Sequence, residues 1–440
     1  MAKFSASTGA GYVASRVRGL GSSDAEERFH AETAEKIVEL LGSMKGAAMK
    51  LGQIASFVDL DLPEEVQAQY QQVLAELRSS APPHDPSEIL QAITDEYGAP
   101  PDSVFASWDP EPIAAASIGQ VHRATLPDGT LVVTKVQYPG VAEAVQADLA
   151  YAEAFAPLAK LVARNLQVRP LMEELRARLG DELDYQREAQ YQQAFCERYD
   201  GHPFIRVPRV HADWCRPRVL VTDYVEGATF DQVVAERSAE EKRRYGEIIY
   251  RFVFGSLNRF RLFNADPHPG NYLFCGDGSV AFLDFGSVKA FSTATRVQIQ
   301  GQLDAVLAGD AEGLLAMLVE ARFLPQGTDV DPVRVLEWFQ TFNEPLLADA
   351  EYEYTADFAR RAMRLTGEPF GPWGDVVRRL NLPPDYLLLN RIQFGVNSVL
   401  SQLGARGNWR AIADEFRGGA PATALGEQEA PFIDSSPYRT

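Results

Sequence analysis

Apolar residues recur every three or four positions over long stretches of this chain, a spacing typical of helices that bury one face. Ser23-Asp24-Ala25-Glu26 has the form of a capping box, which predicts a helix starting there. Asp85-Pro86 places proline in the first helical position, and Gly98 is the predicted end of that helix. Further helices are predicted at residues 64–77, 142–195, 231–263, 296–307, 311–321, 332–342, 354–365 and 384–403.

Segments with strand character occupy a shorter part of the chain. Val121 to Thr125 alternates, Leu131 to Val136 is β-branched, and Pro127-Asp128-Gly129 between them is a turn sequence, so a hairpin is predicted. Two further short strands, followed by a hinge-like break at Glu226-Gly227, are predicted at residues 204–210 and 219–224.

Composition and charge disfavour several classes of function. The 440 residues are 46% hydrophobic, which suffices for one large core or two modest ones. The net charge of −19 disfavours nucleic acid as a partner, because phosphate backbones demand a basic surface. Cys196, Cys215 and Cys275 lie far apart, which argues against structural zinc and a disulfide scaffold and favours a reducing compartment.

Hydropathy bears on location. The sequence contains no signal-peptide core and no run of about 18 apolar residues, so we expect a cytoplasmic protein without a membrane span. Peripheral contact with a membrane through amphipathic helices stays open.

One stretch carries the chemistry of phosphoryl transfer. Asp266 is followed by Asn271 and then by Asp284, which opens the sequence Asp284-Phe285-Gly286. In the protein-kinase fold, one Asp orients or deprotonates the attacking hydroxyl, while the Asn and the second Asp hold Mg²⁺ against the phosphates. Either fragment alone is weak evidence, because carboxylates usually lie on solvated surface. Together they indicate an ATP-dependent phosphotransferase or ATPase.

Residues upstream supply a phosphate-contacting half. Residues 114–120 stand where a kinase has its glycine-rich loop, and small residues there let backbone N–H groups approach phosphate. An alanine-rich helix start is the alternative. Lys135, near the centre of an apolar strand, is costly to bury unless it is paired or binds an anion; the alternative is an edge-strand lysine that reaches water. Carboxylates that can pair with this lysine are available at Asp181, Glu182, Asp184 and Glu188.

With these residues in place, the chain resembles the AarF/UbiB family of atypical kinases (coenzyme Q kinase-like) over residues 25–415. The most specific mark is Lys50-Leu51-Gly52-Gln53, which matches the family's Lys-x-Gly-Gln motif. In the family this motif lies in an N-terminal helical extension that folds over the active site, where a protein kinase receives a peptide. The resemblance implies a two-lobed protein-kinase-like α+β fold with this extension and a helical C-terminal region.

The expected domain organisation combines the resemblance with local composition. The last stretch is rich in Gly, Pro, Ala and Ser, which predicts disorder. The expected parts are a flexible N-terminus at 1–22, a helical extension at 23–100, a small lobe with inserted helices at 101–227, a helical large lobe with the catalytic loop at 228–417, and a disordered tail at 418–440.

The resemblance also implies roles for single residues. Asp266 matches the catalytic aspartate, and Asn271 and Asp284 match the ligands of Mg²⁺, with ATP or ADP as the nucleotide. Lys135 matches the strand lysine, held by a glutamate that looks like Glu188. Residues that contact the nucleotide or its phosphates are Ala114, Ala115, Ala116, Ser117, Gly119, Gln120, Lys135, Glu188 and Asp223, the last beside Thr222 at the gatekeeper position. Residues of a regulatory cap are Lys50, Gly52, Gln53, Glu182 and Asp184.

Two features bear on the phosphoryl acceptor. Position 265 is Ala, so the Arg that precedes the catalytic Asp in many protein kinases is missing, and no Ala-Pro-Glu follows Asp284-Phe285-Gly286 at the expected distance. We therefore expect ATP hydrolysis, or transfer to a small molecule or an isoprenoid lipid of a quinone-type pathway, rather than protein phosphorylation.

Two alternatives stay open. One is a nucleotide-gated lipid-binding or chaperone-like protein with little turnover. The other is a small-molecule phosphotransferase of the aminoglycoside or choline kinase type, against which the Lys50–Gln53 motif argues. The sequence does not indicate an oligomeric state.

Overall fold

The computed structural model describes residues 86–116, 118–147, 149, 176, 180–264, 266–367, 371–381 and 384–438. The helices predicted from Ser23 and at 64–77, the Lys50-Leu51-Gly52-Gln53 motif and Ser117 lie outside these described residues. The chain divides into two compact units. The first unit comprises Met1–Arg187 and His211–Thr222, and the second unit comprises Glu188–Val210 and Asp223–Thr440.

The regular elements are numbered in chain order. The helices are α1 (Pro86–Tyr97), α2 (Pro101–Val104), α3 (Tyr185–Tyr199), α4 (Phe230–Glu236), α5 (Ala239–Gly255), α6 (Thr293–Ala308), α7 (Ala311–Glu320), α8 (Pro332–Phe342), α9 (Ala356–Gly367), α10 (Gly374–Val377), α11 (Pro384–Leu403), α12 (Trp409–Phe416) and α13 (Ala424–Ser435). The strands are β1 (Ser107–Ala115), β2 (Gly119–Thr125), β3 (Leu131–Gln137), β4 (Ile205–Arg206), β5 (Val219–Asp223), β6 (Leu262–Asn264), β7 (Tyr272–Phe274), β8 (Val280–Phe282), β9 (Val288–Ala290), β10 (Tyr352–Glu353) and β11 (Arg406–Gly407). Residues 141–147 are also helical.

The first unit is built on a four-stranded sheet of order β1-β2-β3-β5. β2 is antiparallel to both β1 and β3. Gly129, in the turn between β2 and β3, has φ +91°, a left-handed conformation that glycine adopts without strain. The predicted hairpin is therefore confirmed. Val121 lies directly opposite Lys135, so their side chains share one face of the sheet.

Aromatic side chains form the centre of the second unit. Phe282 of β8 stacks on Phe252 of α5 with ring centroids 3.6 Å apart, and Phe285 lies 5.0 Å from Phe195 of α3. Such pairs contribute about 0.5–1.5 kcal/mol each beyond simple burial. β8 pairs with β7 on one side and with β4 on the other. This core fixes the strand that leads directly into Asp284.

Most predicted helix bounds agree with the structure. α1 begins at Pro86, and Gly98 follows it with φ +69°. The bounds of α8 and α11 are those predicted, and α6 begins slightly earlier than predicted because Ser292 caps it by accepting from the Thr295 N–H. The bounds of α7 and α9 lie within two residues of the prediction.

Two predicted helices are interrupted by capping residues. Within 142–195, residues 180–182 are helical, but α3 starts afresh at Tyr185 because the Asp184 carboxylate accepts from the Arg187 N–H at 2.9 Å. Within 231–263, Ser238 forms a capping box that begins α5. The predicted strand at 204–210 is reduced to the two residues of β4.

Residues 418–440 differ most from the sequence-based expectation, which was a disordered tail. The structure has α13 there, with Thr423 accepting from the Gly426 N–H as its N-cap. Glu429 of α13 is 1% exposed, and it accepts from Arg251 at 2.8 Å and from Arg259 at 2.7 Å. Local composition misses this helix because its partners lie far away in the sequence. In the part of the chain that the structure describes, no helix has both the length and the apolar character that crossing a membrane requires.

Candidate functional site

The loop that carries Asp266 follows strand β6 of the second unit. β6 pairs with β9, which sets Asn264 opposite Val288. After Asp266, the His268 ring accepts from the Gly270 N–H at 3.1 Å, and a single turn of 3₁₀-helix ends at Asn271. The loop is thus held by local hydrogen bonds that its own sequence supplies.

Asn264 ties this loop to the Asp284-Phe285-Gly286 turn. Its amide nitrogen donates to the Asp284 carbonyl at 2.7 Å, and its amide oxygen accepts from the Asp266 N–H at 3.2 Å. Asn271 donates from its amide nitrogen to the Asp266 carbonyl at 3.2 Å, and its own carbonyl accepts from the Leu283 N–H at 3.0 Å. Asp266, Asn271 and Asp284 are therefore brought together. The sequence alone did not reveal the role of Asn264, although a polar residue that ends an apolar strand two positions before Asp266 is a usable signal.

Glu188 lies beside the same turn. Asp284 accepts from the Gly286 N–H at 2.9 Å, and a Cβ placed on Gly286 would stand 3.8 Å from the Glu188 carboxylate. Glu188 is 2% exposed, and buried Phe285 is packed on Phe195 of the same helix. The second unit thus contains three acidic residues and one carboxamide of the predicted set around one turn.

The donor set in this unit can be compared with what a metal ion requires. Asn271 engages the protein through its amide nitrogen, which leaves an amide oxygen as the atom type that Mg²⁺ prefers, and Asp284 adds carboxylate oxygens. Among the residues described, no group of three or more His, Cys, Asp or Glu side chains has the arrangement of a metal site. The pair of Asn271 and Asp284 nevertheless fits Mg²⁺, which usually takes one or two protein ligands and completes its shell with phosphate and water oxygens.

A glycine of α11 lets the loop approach this helix closely. A Cβ placed on Gly395 would overlap the ring of Pro267, the residue after Asp266. Gly395 could not be singled out from the sequence, because the residue that it contacts lies far away along the chain.

In the first unit, the alanine-rich segment is a tight hairpin rather than an extended loop. Ala114 and Ala115 are paired with Val121 and Gln120 at the end of β1. The Ala116 N–H donates to the Gly119 carbonyl at 2.8 Å across the turn. The turn is therefore shorter than predicted.

Gly119 is required by close packing. A Cβ there would overlap the Val136 carbonyl oxygen and would stand 2.9 Å from the Tyr185 hydroxyl.

The Gln120 side chain points away from the predicted phosphate contact. It follows Gly119 on β2 and precedes Val121, so it projects from the face of the sheet opposite Lys135. It is 1% exposed and donates to His122, whose other ring nitrogen donates to the Asp109 carbonyl. Burial lowers the pKa of His122 and so favours this neutral ring. For Gln120, the predicted contact with phosphate could therefore come only from the backbone.

Lys135 and the acidic segment that follows lie together in the first unit. The Lys135 ammonium lies 5.1 Å from the centroid of the Tyr185 ring. Gln137, two residues beyond Lys135, donates to the Leu183 carbonyl at 2.7 Å and so holds the chain between Glu182 and Asp184. Asp184 acts as the N-cap of helix α3. This structural role was not part of its prediction as a residue of the regulatory cap.

Asp223 is held by the backbone at the end of β5. Its carboxylate accepts from the Arg209 N–H at 3.2 Å, and its own N–H donates to the Arg209 carbonyl at 3.0 Å. The neighbouring Thr222 is 8% exposed.

The predicted site residues thus form two groups, one in each unit. The pairing of Lys135 with Glu188 stays a prediction, as do the roles of Ser117, Lys50, Gly52 and Gln53, which lie outside the described residues.

Comparison with known proteins adds a family and a fold. Residues 76–318 match the ABC1 atypical kinase-like domain. The chain is 32% identical to "Atypical kinase COQ8B, mitochondrial" of Rattus norvegicus, covering 76% of this chain and 63% of that protein. It is 29% identical to "AarF domain-containing protein kinase 1" of Gallus gallus, covering 71% of this chain and 64% of that protein. The chain thus spans slightly less than two thirds of the length of these relatives.

A solved structure is also similar over most of the chain. It is titled "The complex structure of Rv3197-erythromycin from Mycobacterium tuberculosis", with a TM-score of 0.65, 28% identity, and coverage of 90% of this chain and 98% of that chain. Together with the domain match, this confirms the predicted kinase-like α+β fold.

Proposed function

Because the chain belongs to the ABC1 (AarF/UbiB) family of atypical kinases, we propose that it binds Mg-ATP and either hydrolyses it or transfers its terminal phosphoryl group. One observation carries this proposal. Asn264 joins the Asp266 loop to the Asp284 turn by two hydrogen bonds, so the groups needed for metal and acceptor lie in one place. Phosphoryl transfer depends mainly on such positioning and on electrostatic stabilisation.

Each group has a distinct role in the proposal. Asp266 orients or deprotonates the attacking hydroxyl or water, while Asn271 and Asp284 hold Mg²⁺, which when bound neutralises charge on the phosphates. Lys135 and the backbone of the alanine hairpin contact the phosphates, and Glu188 orients the lysine. Lys50 and Gln53 form the cap that adjusts nucleotide affinity.

The acceptor that we propose is water, a small molecule or an isoprenoid lipid of a quinone-type pathway, rather than a protein. Between Gly286 and the start of α6 at Thr293 only residues 287–292 intervene, and three of these belong to β9. Protein kinases use a longer segment after this turn, with a phosphorylation site and an Ala-Pro-Glu, to organise the peptide substrate. The short connection supports a substrate other than a peptide.

Phosphate release by the purified chain tests the proposal. Asp284→Asn removes a charged metal ligand, and we expect release to fall by about 100-fold or more. Asp329→Asn makes the same chemical change at an exposed position of the second unit and should leave the rate unchanged. Equal rates for Asp284→Asn and the wild type would refute the assignment of the metal site.

A second candidate function is a nucleotide-gated binder of amphipathic small molecules or lipids with little turnover. The similar structure whose title names erythromycin favours keeping this candidate. Thermal shift with ATP and ADP, and phosphate release measured with candidate lipid acceptors and with erythromycin, separate the two. Nucleotide binding without turnover under all these conditions supports the binder. Mass spectrometry of the lipids and nucleotides that co-purify with the protein then identifies the ligand class.

A further inference from the structure

We propose that Tyr185 is a further positioning residue for Lys135, in addition to Glu188, and that its ring holds the lysine ammonium where the phosphates of a nucleotide bind. This inference rests on the proposed function and assigns a residue that the motifs do not include. It is carried by contacts within the first unit alone.

The first contact is between the ring and the ammonium group. The Lys135 nitrogen lies 5.1 Å from the Tyr185 ring centroid, inside the range of about 6 Å in which a cation is attracted to an aromatic face. Tyr185 is 1% exposed, so this attraction is screened less than at a solvated surface. A lysine has a flexible four-carbon stem, and a fixed aromatic face restricts where its charge lies.

The second contact joins the same tyrosine to the alanine hairpin. A Cβ on Gly119 would stand 2.9 Å from the Tyr185 hydroxyl, so the hydroxyl lies directly against the end of the hairpin. One side chain therefore contacts both parts of the predicted phosphate-binding group. A shift of Tyr185 moves the lysine relative to the hairpin.

The position of Tyr185 is fixed by the strand that carries the lysine. Tyr185 is the first residue of α3, directly after the N-cap Asp184. Gln137 of β3 donates to the carbonyl of Leu183, two residues before Tyr185. Gln137 and Lys135 are two residues apart on one strand and so lie on one face of the sheet. The hydrogen bond from Gln137 to the Leu183 carbonyl thus helps to hold ring and ammonium in register.

The test changes the electrons of the ring without changing its shape. Tyr185→Phe keeps the aromatic face and should bind ADP within about twofold of the wild type. A trifluorinated phenylalanine at position 185 has nearly the same shape but a weaker negative face, and we expect ADP affinity about 3- to 10-fold below that of Tyr185→Phe. Tyr185→Leu should lose at least as much. Calorimetric dissociation constants provide the measurement.

A matched control and a second readout separate positioning from folding. The same trifluorinated residue at Phe105, a buried ring of the first unit that packs on Tyr97, should leave ADP affinity unchanged. Isotope-labelled methyl groups placed on the lysines report the contact without nucleotide, because a methyl above a ring is shifted upfield in the NMR spectrum. Lys135→Arg identifies the resonance, and Tyr185→Leu should abolish its upfield shift.

The outcomes distinguish this inference from the proposed function. Absence of ADP binding by the wild type contradicts the proposed function, whereas the methyl resonance still shows whether the ring holds Lys135. An unshifted Lys135 resonance in the wild type overturns the inference. Equal ADP affinity of the trifluorinated and Tyr185→Phe proteins overturns it as well.

Discussion

Two polar clusters of the second unit are held in place by different kinds of bond. In the first, which we term the loop cluster, side-chain amides bind backbone groups over distances of 2.7–3.2 Å. Its members are Asn264, Asp266, Asn271 and Asp284. In the second, the tail cluster, guanidinium groups bind carboxylates over distances of 2.7–2.8 Å. Its members are Arg251, Arg259, Glu415 and Glu429.

The difference separates function from stability. Opposite charges in the tail cluster neutralise each other inside the protein, so their main effect is to fix α13 against α5. In the loop cluster, the bonds that position the two aspartates come from the neutral amides of Asn264 and Asn271, so these bonds do not require charged partners. We expect changes in the tail cluster to lower the free energy of unfolding, and changes in the loop cluster to lower turnover more than stability.

The largest expected effect comes from removing the central cation of the tail cluster. Arg251 has a fully buried side chain that pairs with Glu415 and Glu429. Arg251→Met leaves these carboxylates buried without that cation, and we expect the free energy of unfolding to fall by about 3–5 kcal/mol. Urea unfolding provides the measurement. Arg243→Met removes an exposed pair with Glu351 and should cost about 0–1 kcal/mol. Similar losses for both variants would contradict the comparison.

The second-largest expected effect is a loss of stability at acid pH, when the tail cluster loses a charge. Burial alone raises the pKa of Glu429, but the hydrogen bond from His202 and the charges of Arg259 and Arg251 outweigh it and lower this pKa from 4.5 to about 2. The resulting stabilisation is present above pH 4.5 and is lost as pH falls towards 2. It amounts to about 3 kcal/mol.

Unfolding free energies of the wild type and of Glu429→Gln measured from pH 6 downwards test this. The difference between the two proteins should shrink as the wild-type carboxylate is protonated. Glu427→Gln makes the same change at an exposed position of α13 and provides the control, which should alter the free energy of unfolding only slightly. A wild-type advantage that stays constant down to pH 2.5 would contradict the assignment.

A smaller loss of stability, with a large loss of activity, is expected at Asn264. Asn264→Ala leaves the Asp284 carbonyl and the Asp266 N–H without their partner, at a cost of about 1–3 kcal/mol. Misplacement of the two aspartates should reduce phosphate release by about 100-fold. Asn343→Ala, which also removes a side-chain bond to a backbone carbonyl, should leave phosphate release unchanged. If Asn264→Ala lost stability but kept full activity, the loop cluster would be merely structural.

The smallest expected effect concerns the support of the loop from behind. Gly395→Ala forces a methyl group into the ring of Pro267, and such overpacking costs about 1–2 kcal/mol. We also expect reduced phosphate release, because Pro267 adjoins Asp266. At Gly301 in α6, the nearest atom that a new methyl group would meet among the described residues belongs to the flexible Met317 side chain, at 3.4 Å, so Gly301→Ala should be neutral or slightly stabilising. Thermal unfolding and phosphate release on both variants separate steric effects from helix propensity.

Residues that act through their neighbours in sequence were predictable. Pro86 starts helix α1 and Gly98 follows its end, each because of its own backbone preference. In the same way, the Pro127-Asp128-Gly129 turn determines the hairpin of β2 and β3. The proximity of the Asp266 loop to the Asp284 turn could be expected, because Asp266 and Asn271 are only a few residues apart and the Asp284 turn is a short motif; the catalytic role of the loop stays a proposal.

Residues that act through distant partners were not predictable. Asn264 has a role only because β6 and β9 place it beside the Asp284 turn, and Gly395 matters only because Pro267 approaches it. The prediction of disorder for residues 418–440 was wrong because Glu429 is held by arginines that lie over 160 positions away in the sequence. Composition records the residues in a segment but not the charges that the rest of the fold supplies.

The docking of α13 has a consequence for cleavage of the chain. Residues 418–422, which connect α12 to α13, are exposed, whereas Glu429 is buried among arginines. A protease that cuts this connection would therefore leave two polypeptides that remain associated under native conditions. Because the ion pairs of Glu429 and the burial of Leu425 and Ile433 hold the helix independently of the covalent link, a synthetic peptide of residues 423–438 should restore a truncated protein by complementation.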